Sequence, residues 1–237
     1  QRRKPLVVTS IAPLGDWIAA VGGDDVDVLV LVPPSSNPHT FELSPGQLRD
    51  ASEASLVVLN GAGLEYWSDR LLDNMRTADV PVVTLADSVE LLQDGGHDGH
   101  DHAHAAGNPH FWLDPVIAAA AVRRIAIAVA ALLPPDRGDA IVARMDAYVG
   151  ELRRLDAEIR NSVSRWKQRR FIGDHSSWVY FARRYGLEEA GVIESVPGRE
   201  VSARELSSLI GLMRKQGIDV VFADRRKSTR SADILAE

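Results

Sequence analysis

The feature that most narrows the fold is one amphipathic stretch from Pro135 to Trp166. Ile141, Met145, Tyr148, Leu152, Leu155, Ile159 and Val163 recur there at three- and four-residue spacing, with no proline inside. That is the period of a single apolar stripe on an α-helix. At 1.5 Å per residue the helix would extend roughly 45 Å, the length of a whole domain rather than of a loop. Gly150 is the place where it would divide into two, yet a glycine inside a helix costs only about 1 kcal/mol. The spacing therefore predicts one long helix.

On its N-terminal side, short apolar β-rich runs alternate with helix-length amphipathic segments. Leu6 to Ile11, Val26 to Val32, Ser55 to Asn60 and Val80 to Leu85 read as strands, and one intervening helix has Ser44 as N-cap and Pro45 at its first position. On the C-terminal side the scheme repeats, with strands at Arg170 to Asp174, Glu189 to Glu194 and Ile218 to Ala223, and helices near Ser176 to Tyr185 and Ser202 to Gln216. Strand and helix alternating in this way predict parallel sheets covered by helices. The expected fold class is α/β, with two lobes, each a parallel sheet flanked by helices, joined by a long rigid helix. The boundaries that follow are 1–134 for the first lobe, 135–166 for the linking helix and 167–237 for the second lobe.

Composition excludes several classes of function. The chain has 237 residues, is 45% hydrophobic and carries a formal charge of −6, with its Lys and Arg residues scattered. Nucleic acid, which needs a basic face, is not an expected partner. No apolar run approaches the ~20 residues that would span a bilayer. Arg2, Arg3 and Lys4 open the chain without an apolar segment after them, so the expectation is an exported protein whose signal peptide has been removed. With no cysteine, thiolate metal sites, disulfides and a cysteine nucleophile are out, and any metal must sit on imidazole and carboxylate.

The seven histidines are unevenly placed. His97, His100, His102 and His104 crowd into residues 94–107, DGGHDGHDHAHAAG, a composition that cannot bury a core and reads as a mobile surface loop. His39, His110 and His175 lie instead in turns beside predicted strand or helix ends: PPSSNPHTFE, NPHFWLDP and FIGDHSSW. Ligands of open α/β sheets bind beyond the carboxyl ends of strands, where His39 and His175 fall. Proline before His39 and His110 fixes the backbone leading into each ring. Three imidazoles plus an oxygen make a tetrahedral zinc site. Glu42, Asp114 and Asp174 are placed to accept the distal imidazole N–H groups, with helix capping as the other reading of Asp114, and Phe111, Trp112 and Trp178 are placed to wall the site or to fill the core.

PHTFE (38–42), SEASLVVLNGAGLE (52–65), NPHFWLDP (108–115) and DHSSWVYFARRYGL (174–187) resemble the hallmarks of the zinc and manganese ABC-transporter substrate-binding proteins, over nearly the whole chain. The resemblance implies two α/β lobes bridged by a long helix, with the metal held by His39, His110 and His175, two from the first lobe and one from the second. It implies a high-affinity extracytoplasmic receptor, periplasmic or at the cell surface, that delivers Zn2+ to the membrane permease of an ABC importer. A metallochaperone is a further partner, and a monomer and no enzyme activity are expected. Histidines 97, 100, 102 and 104 would form an accessory metal-capture loop. The family's fourth ligand, a carboxylate from a late loop, is expected beyond Glu237; four candidate strands in the first lobe against three in the second agree with a chain truncated at its C-terminus, and Asp224 is the substitute. Nitrogen-rich ligands favour zinc, with Mn2+ as the alternative cargo. A zinc-dependent hydrolase is the rival from another class, although HExxH and GxSxG motifs are missing.

Overall fold

In the computed structural model, residues 3–93, 107–196, 198–224 and 230–236 are described. They pack as two compact units, Gln1–Glu90 with Pro115–Asp156, and Leu91–Asp114 with Ala157–Glu237.

The first unit is built on β1 (Leu6–Thr9), α1 (Ala12–Gly22), β2 (Asp27–Val30), α2 (Pro45–Ala51), β3 (Leu56–Leu59), α3 (Asp69–Thr77) and β4 (Val82–Thr84), followed by α4 (Pro115–Ala130) and the first part of α5 (Gly138–Ser164). Its sheet is wholly parallel, in the order β2-β1-β3-β4. The central strands are apolar on both faces because helices cover both: every residue of β3 is buried. Alternation then divides them. Val57 and Leu59 join Val8, Ala51, Leu71 and Met75 in the core beneath α2 and α3, while α1 and α4 pack on one another and touch β1 and β3.

Polar groups fix the ends of these elements. Ser44 caps α2 as expected, in a box closed by the Gln47 side chain on the Ser44 backbone N–H. Arg144 of α5 donates to the Val21 and Gly22 carbonyls at 2.7 and 3.0 Å and to Asp25 at 2.8 Å, placing a cation on the orphan carbonyls that end α1. After β3 the chain turns sharply through Gly61, whose φ of 83° and contact with Thr84 leave no room for a side chain. The Glu65 carboxylate closes this turn, accepting the Asn60 and Gly61 N–H groups at 2.8 and 2.9 Å. Burial pushes its pKa up, against the pull of the Ser10 hydroxyl and those two N–H groups.

α5 is the long helix, 27 residues entered through a 3₁₀ turn at Pro135–Arg137 and unbroken at Gly150. One helix, not two, occupies this stretch. The boundary between the compact units falls inside it, after Asp156.

The second unit contains β5 (Arg170–Gly173), α6 (Val179–Tyr185), β6 (Glu188–Val192), α7 (Ala203–Gln216), β7 (Val221–Phe222) and a short α8 (Arg230–Ala236) that the sequence pattern did not single out. Its parallel sheet runs β6-β5-β7, again with the first strand in the middle. Ile172, Ala190, Ile193, Met213, Ile218, Ala232 and Leu235 form its core. Phe171 stacks on Phe222 at 4.3 Å, and Trp178 meets the same Phe222 edge-on. α7 begins at a second capping box, Ser202 with Glu205, and ends at Gly217 with φ of 65°.

Packing departs from the contiguous division 1–134, 135–166, 167–237. Residues 91–114 leave the first unit and join the second, 115–156 stay with the first, and the expected linker is shared. The cause is a set of buried contacts that no local pattern encodes. Asn108 bonds to Ser176 and Tyr180, and Asp114 pairs with Arg184 of α6 at 2.5 Å.

Candidate metal centre

His175 stands just past the carboxyl end of β5, the central strand of its sheet, in the position expected of it. Gly173 permits the turn: a Cβ there would lie 3.1 Å from the His175 carbonyl and against the Glu189 carboxylate. Asp174 then orients the ring. Its Oδ1 accepts the His175 backbone N–H at 2.9 Å and lies 3.2 Å from the ring Nδ1. A carboxylate there favours the proton on Nδ1 and leaves the Nε2 lone pair outward.

His110 reaches the same state by a different partner. It follows Asn108 and Pro109 and opens a 3₁₀ turn, Phe111–Leu113, and it is 3% exposed. Asn108, fully buried, donates from Nδ2 to the Ser176 carbonyl at 2.5 Å, which turns its oxygen toward His110. That oxygen accepts both the His110 backbone N–H at 2.9 Å and the ring Nδ1 at 3.0 Å. Because an amide oxygen only accepts, His110 Nδ1 carries the proton and Nε2 is the bare nitrogen.

The two bare nitrogens meet. His110 Nε2 and His175 Nε2 are 3.2 Å apart, with ring centroids at 5.0 Å and planes at 72°. Two lone pairs so close repel unless a proton or a metal ion lies between them. Two zinc–nitrogen bonds of ~2.05 Å at a tetrahedral angle place their nitrogens ~3.3 Å apart. The spacing fits a shared metal ion.

His39 belongs to the other compact unit. It is half-buried in the turn after β2, its backbone N–H on the Asn37 side-chain oxygen at 3.0 Å, with Thr40 N–H on the Asn37 carbonyl at 3.2 Å. His110 and His175 thus share one unit, against the expected division of two ligands in the first lobe and one in the second. His97, His100, His102 and His104 lie outside the described residues.

Of the expected supporting residues, Asp174 does sit on an imidazole. Asp114 does not: it is buried against Arg184, and Asn108 takes the place on His110 that Asp114 was expected to fill. Glu42 is exposed. Trp112 tilts against His110 at 5.0 Å, and Phe111 is fully buried. Trp178 packs on Phe181 and Phe222, so for it the core reading applies. Asp224 lines a cavity of about 480 Å³ beyond the strands of the second unit, together with Asp174, Glu194, Glu200 and Arg230. Sequence reasoning missed Asn108 and Glu65, although the Asn-Pro-His repetition signalled the first and the acidic end of the NGAGLE turn the second.

Parallel α/β units and paired, oriented imidazoles are the make-up of a metal-binding solute receptor. The chain belongs to the family described as zinc-uptake complex component A, periplasmic, whose model matches residues 7–237. It is similar to the zinc-binding lipoprotein AdcA of Streptococcus pneumoniae serotype 4, with 27% identity over 237 residues, covering 98% of this chain and 47% of that protein. It is similar also to the high-affinity zinc uptake system protein ZnuA of Bacillus subtilis, with 27% identity over 238 residues, 97% of this chain and 74% of that protein. A crystal structure of a zinc-bound ZnuA deletion mutant superposes with a TM-score of 0.82 at 33% identity, covering 98% of this chain and 86% of that one. The chain spans about half the length of the AdcA relatives it matches. The family is one of solute-binding receptors rather than of enzymes, and the hydrolase alternative falls with it.

Proposed function

We propose that this protein is an extracytoplasmic zinc receptor that holds one Zn2+ through His39, His110 and His175 and delivers it to the permease of an ABC importer. The observation that carries the reading is the 3.2 Å approach of two Nε2 atoms, with His110 Nδ1 on the Asn108 oxygen and His175 Nδ1 3.2 Å from Asp174 Oδ1. Imidazole is a borderline ligand that suits zinc, and Mn2+ prefers more oxygen. His39, from the same Asn-Pro-His turn as His110, supplies the third nitrogen. The family and its zinc-named relatives support the same cargo.

Capture requires neutral rings, so zinc competes with protons for the imidazole nitrogens and binding weakens in acid. The chain's own residues prepare for this: Asn108 accepts the His110 Nδ1 proton, and the Asp174 carboxylate lies beside His175 Nδ1. The same partners make each ring a stronger donor. Among the described residues no helix is long and apolar enough to cross a membrane. The receptor is proposed to be a monomer, periplasmic or held at the cell surface after removal of an export signal, with a metallochaperone as a further partner. Metal capture by His97, His100, His102 and His104 is part of the same proposal.

Titration of metal-stripped protein with Zn2+ and Mn2+, by calorimetry against a competing chelator, tests the proposal. One zinc per chain and weaker manganese binding are expected. Equal or tighter binding of manganese would make manganese the cargo.

A further inference from the structure

Tyr180 lies on α6, 2% exposed, its ring edge-on to Phe111 at 6.4 Å. Its hydroxyl does not point to the metal centre but to the backbone on either side of residues 93–107. It accepts the Leu92 N–H at 3.0 Å and donates to the Asn108 carbonyl at 2.8 Å. The Asn108 N–H in turn donates to the Leu92 carbonyl at 2.7 Å. Gly107 completes the approach: with φ of 106°, and with a position where a Cβ would stand 2.8 Å from the Leu91 Cβ, it admits only glycine. Residues 91–92 and 107–108 are therefore fastened to one another and to one hydroxyl.

Asn108 is also the residue that settles His110. Both its backbone groups are held at this fastening, and its amide bridges the Ser176 carbonyl and His110 Nδ1. A small rotation of the Asn108 backbone would lift the amide oxygen off Nδ1.

We propose that Tyr180 is a positioning residue for metal capture: its hydroxyl fixes the Asn108 backbone, so that Asn108 keeps the proton of His110 on Nδ1 and presents a bare Nε2 to the metal. This rests on the zinc-receptor reading above. It makes affinity depend on the chain that enters and leaves residues 93–107, separately from the histidines within them. Binding by a state that is only fractionally populated weakens in proportion to that fraction. If Tyr180→Phe lowers the Nδ1-protonated tautomer to about a fifth, the zinc dissociation constant rises about fivefold.

The test is ¹⁵N spectroscopy of the His110 ring in metal-free protein, combined with zinc titration. Wild type should show protonated Nδ1 and bare Nε2; Tyr180→Phe and Asn108→Ala should both populate the opposite tautomer and bind zinc more weakly. Met213→Ala, which opens the core of the same unit, serves as a control for general loosening: it should lower the melting temperature without moving the tautomer. The proposal is overturned if Tyr180→Phe leaves tautomer and affinity as in wild type, or if Met213→Ala shifts the tautomer equally. His110→Ala separates the two levels: if it binds zinc normally, the receptor reading itself fails, whatever Tyr180→Phe does.

Discussion

The tripeptide Asn-Pro-His occurs once in each compact unit, at 37–39 and at 108–110. Both copies make the same turn: the asparagine oxygen accepts the histidine backbone N–H, at 3.0 Å in the first and 2.9 Å in the second. This much is local chemistry, because Asn side chains bond two residues on and proline restricts what precedes it. The second copy adds what a local motif cannot encode. Asn108 is fully buried and anchored on Ser176 and Tyr180, and its oxygen also takes the imidazole Nδ1, whereas Asn37 and His39 are half-buried. A short motif places a ring, and tertiary partners then decide which nitrogen it offers.

The largest effect should come from the rings. A structural zinc site is worth about 10–16 kcal/mol over four ligands, so removing one ligand should cost roughly 60- to 700-fold in affinity. His110→Ala and His175→Ala are expected to reach that loss in a chelator-competition titration, and His39→Ala to match them. A small effect of His39→Ala alone would confine the site to the second unit. Next, Arg184→Met strips the cation from buried Asp114 and should lower stability in urea by about 3 kcal/mol, the low end for breaking a buried pair. No loss would mean that the segment carrying His110 is held by its hydrogen bonds alone. Between the two asparagines, Asn108→Ala should weaken zinc binding about 10- to 100-fold, as loss of a ligand's hydrogen-bond partner does, and Asn37→Ala should do less. Equal losses would erase the distinction drawn between the copies.

The capping boxes give the smallest effect and a second contrast between the units. Ser44→Ala and Ser202→Ala should each cost about 1 kcal/mol at neutral pH. Only the second should depend on acid, since Glu205 is ionisable and Gln47 is not. The Ser202 hydroxyl and backbone N–H, with Arg199, hold Glu205 down at about 2, below the usual 4.5 of a free glutamate. The folded state thus binds fewer protons than the unfolded one between those values, so its added stability is present above pH 4.5 and fades as pH falls toward 2. Melting temperatures from pH 7 to 3 should show the Ser202→Ala deficit shrinking while that of Ser44→Ala stays level.

Much of this was legible from periodicity. The strands, the Ser44 cap and the unbroken long helix follow from patterns of apolar residues and from capping chemistry, which act within a few residues. The expected strand ends overran the registered ones, as at Ile218 to Ala223 against Val221–Phe222, because Ile218, Val220 and Ala223 extend the apolar run past the two residues in register with β5. The unit boundary after Asp156 was not legible, since a uniform amphipathic helix carries no mark where its packing partner changes. Among the site residues, the adjacency of Asp174 to His175 pointed to their contact. The substitution of Asn108 for Asp114 on His110 did not show: Asp114 is turned away by Arg184, a residue 70 positions later. Glu65 stood in plain view in NGAGLE, but its part in closing the turn after β3 depends on burial, which spacing does not reveal.

In the proposed centre, His110 and His175 present Nε2 atoms to one zinc ion, with His39 as the third nitrogen. An anomalous-difference map of zinc-loaded crystals, recorded on either side of the zinc edge, tests it most directly. One strong peak is expected ~2.0–2.1 Å from a ring nitrogen of each of the three histidines. A peak elsewhere, with the space between His110 and His175 empty, would contradict it.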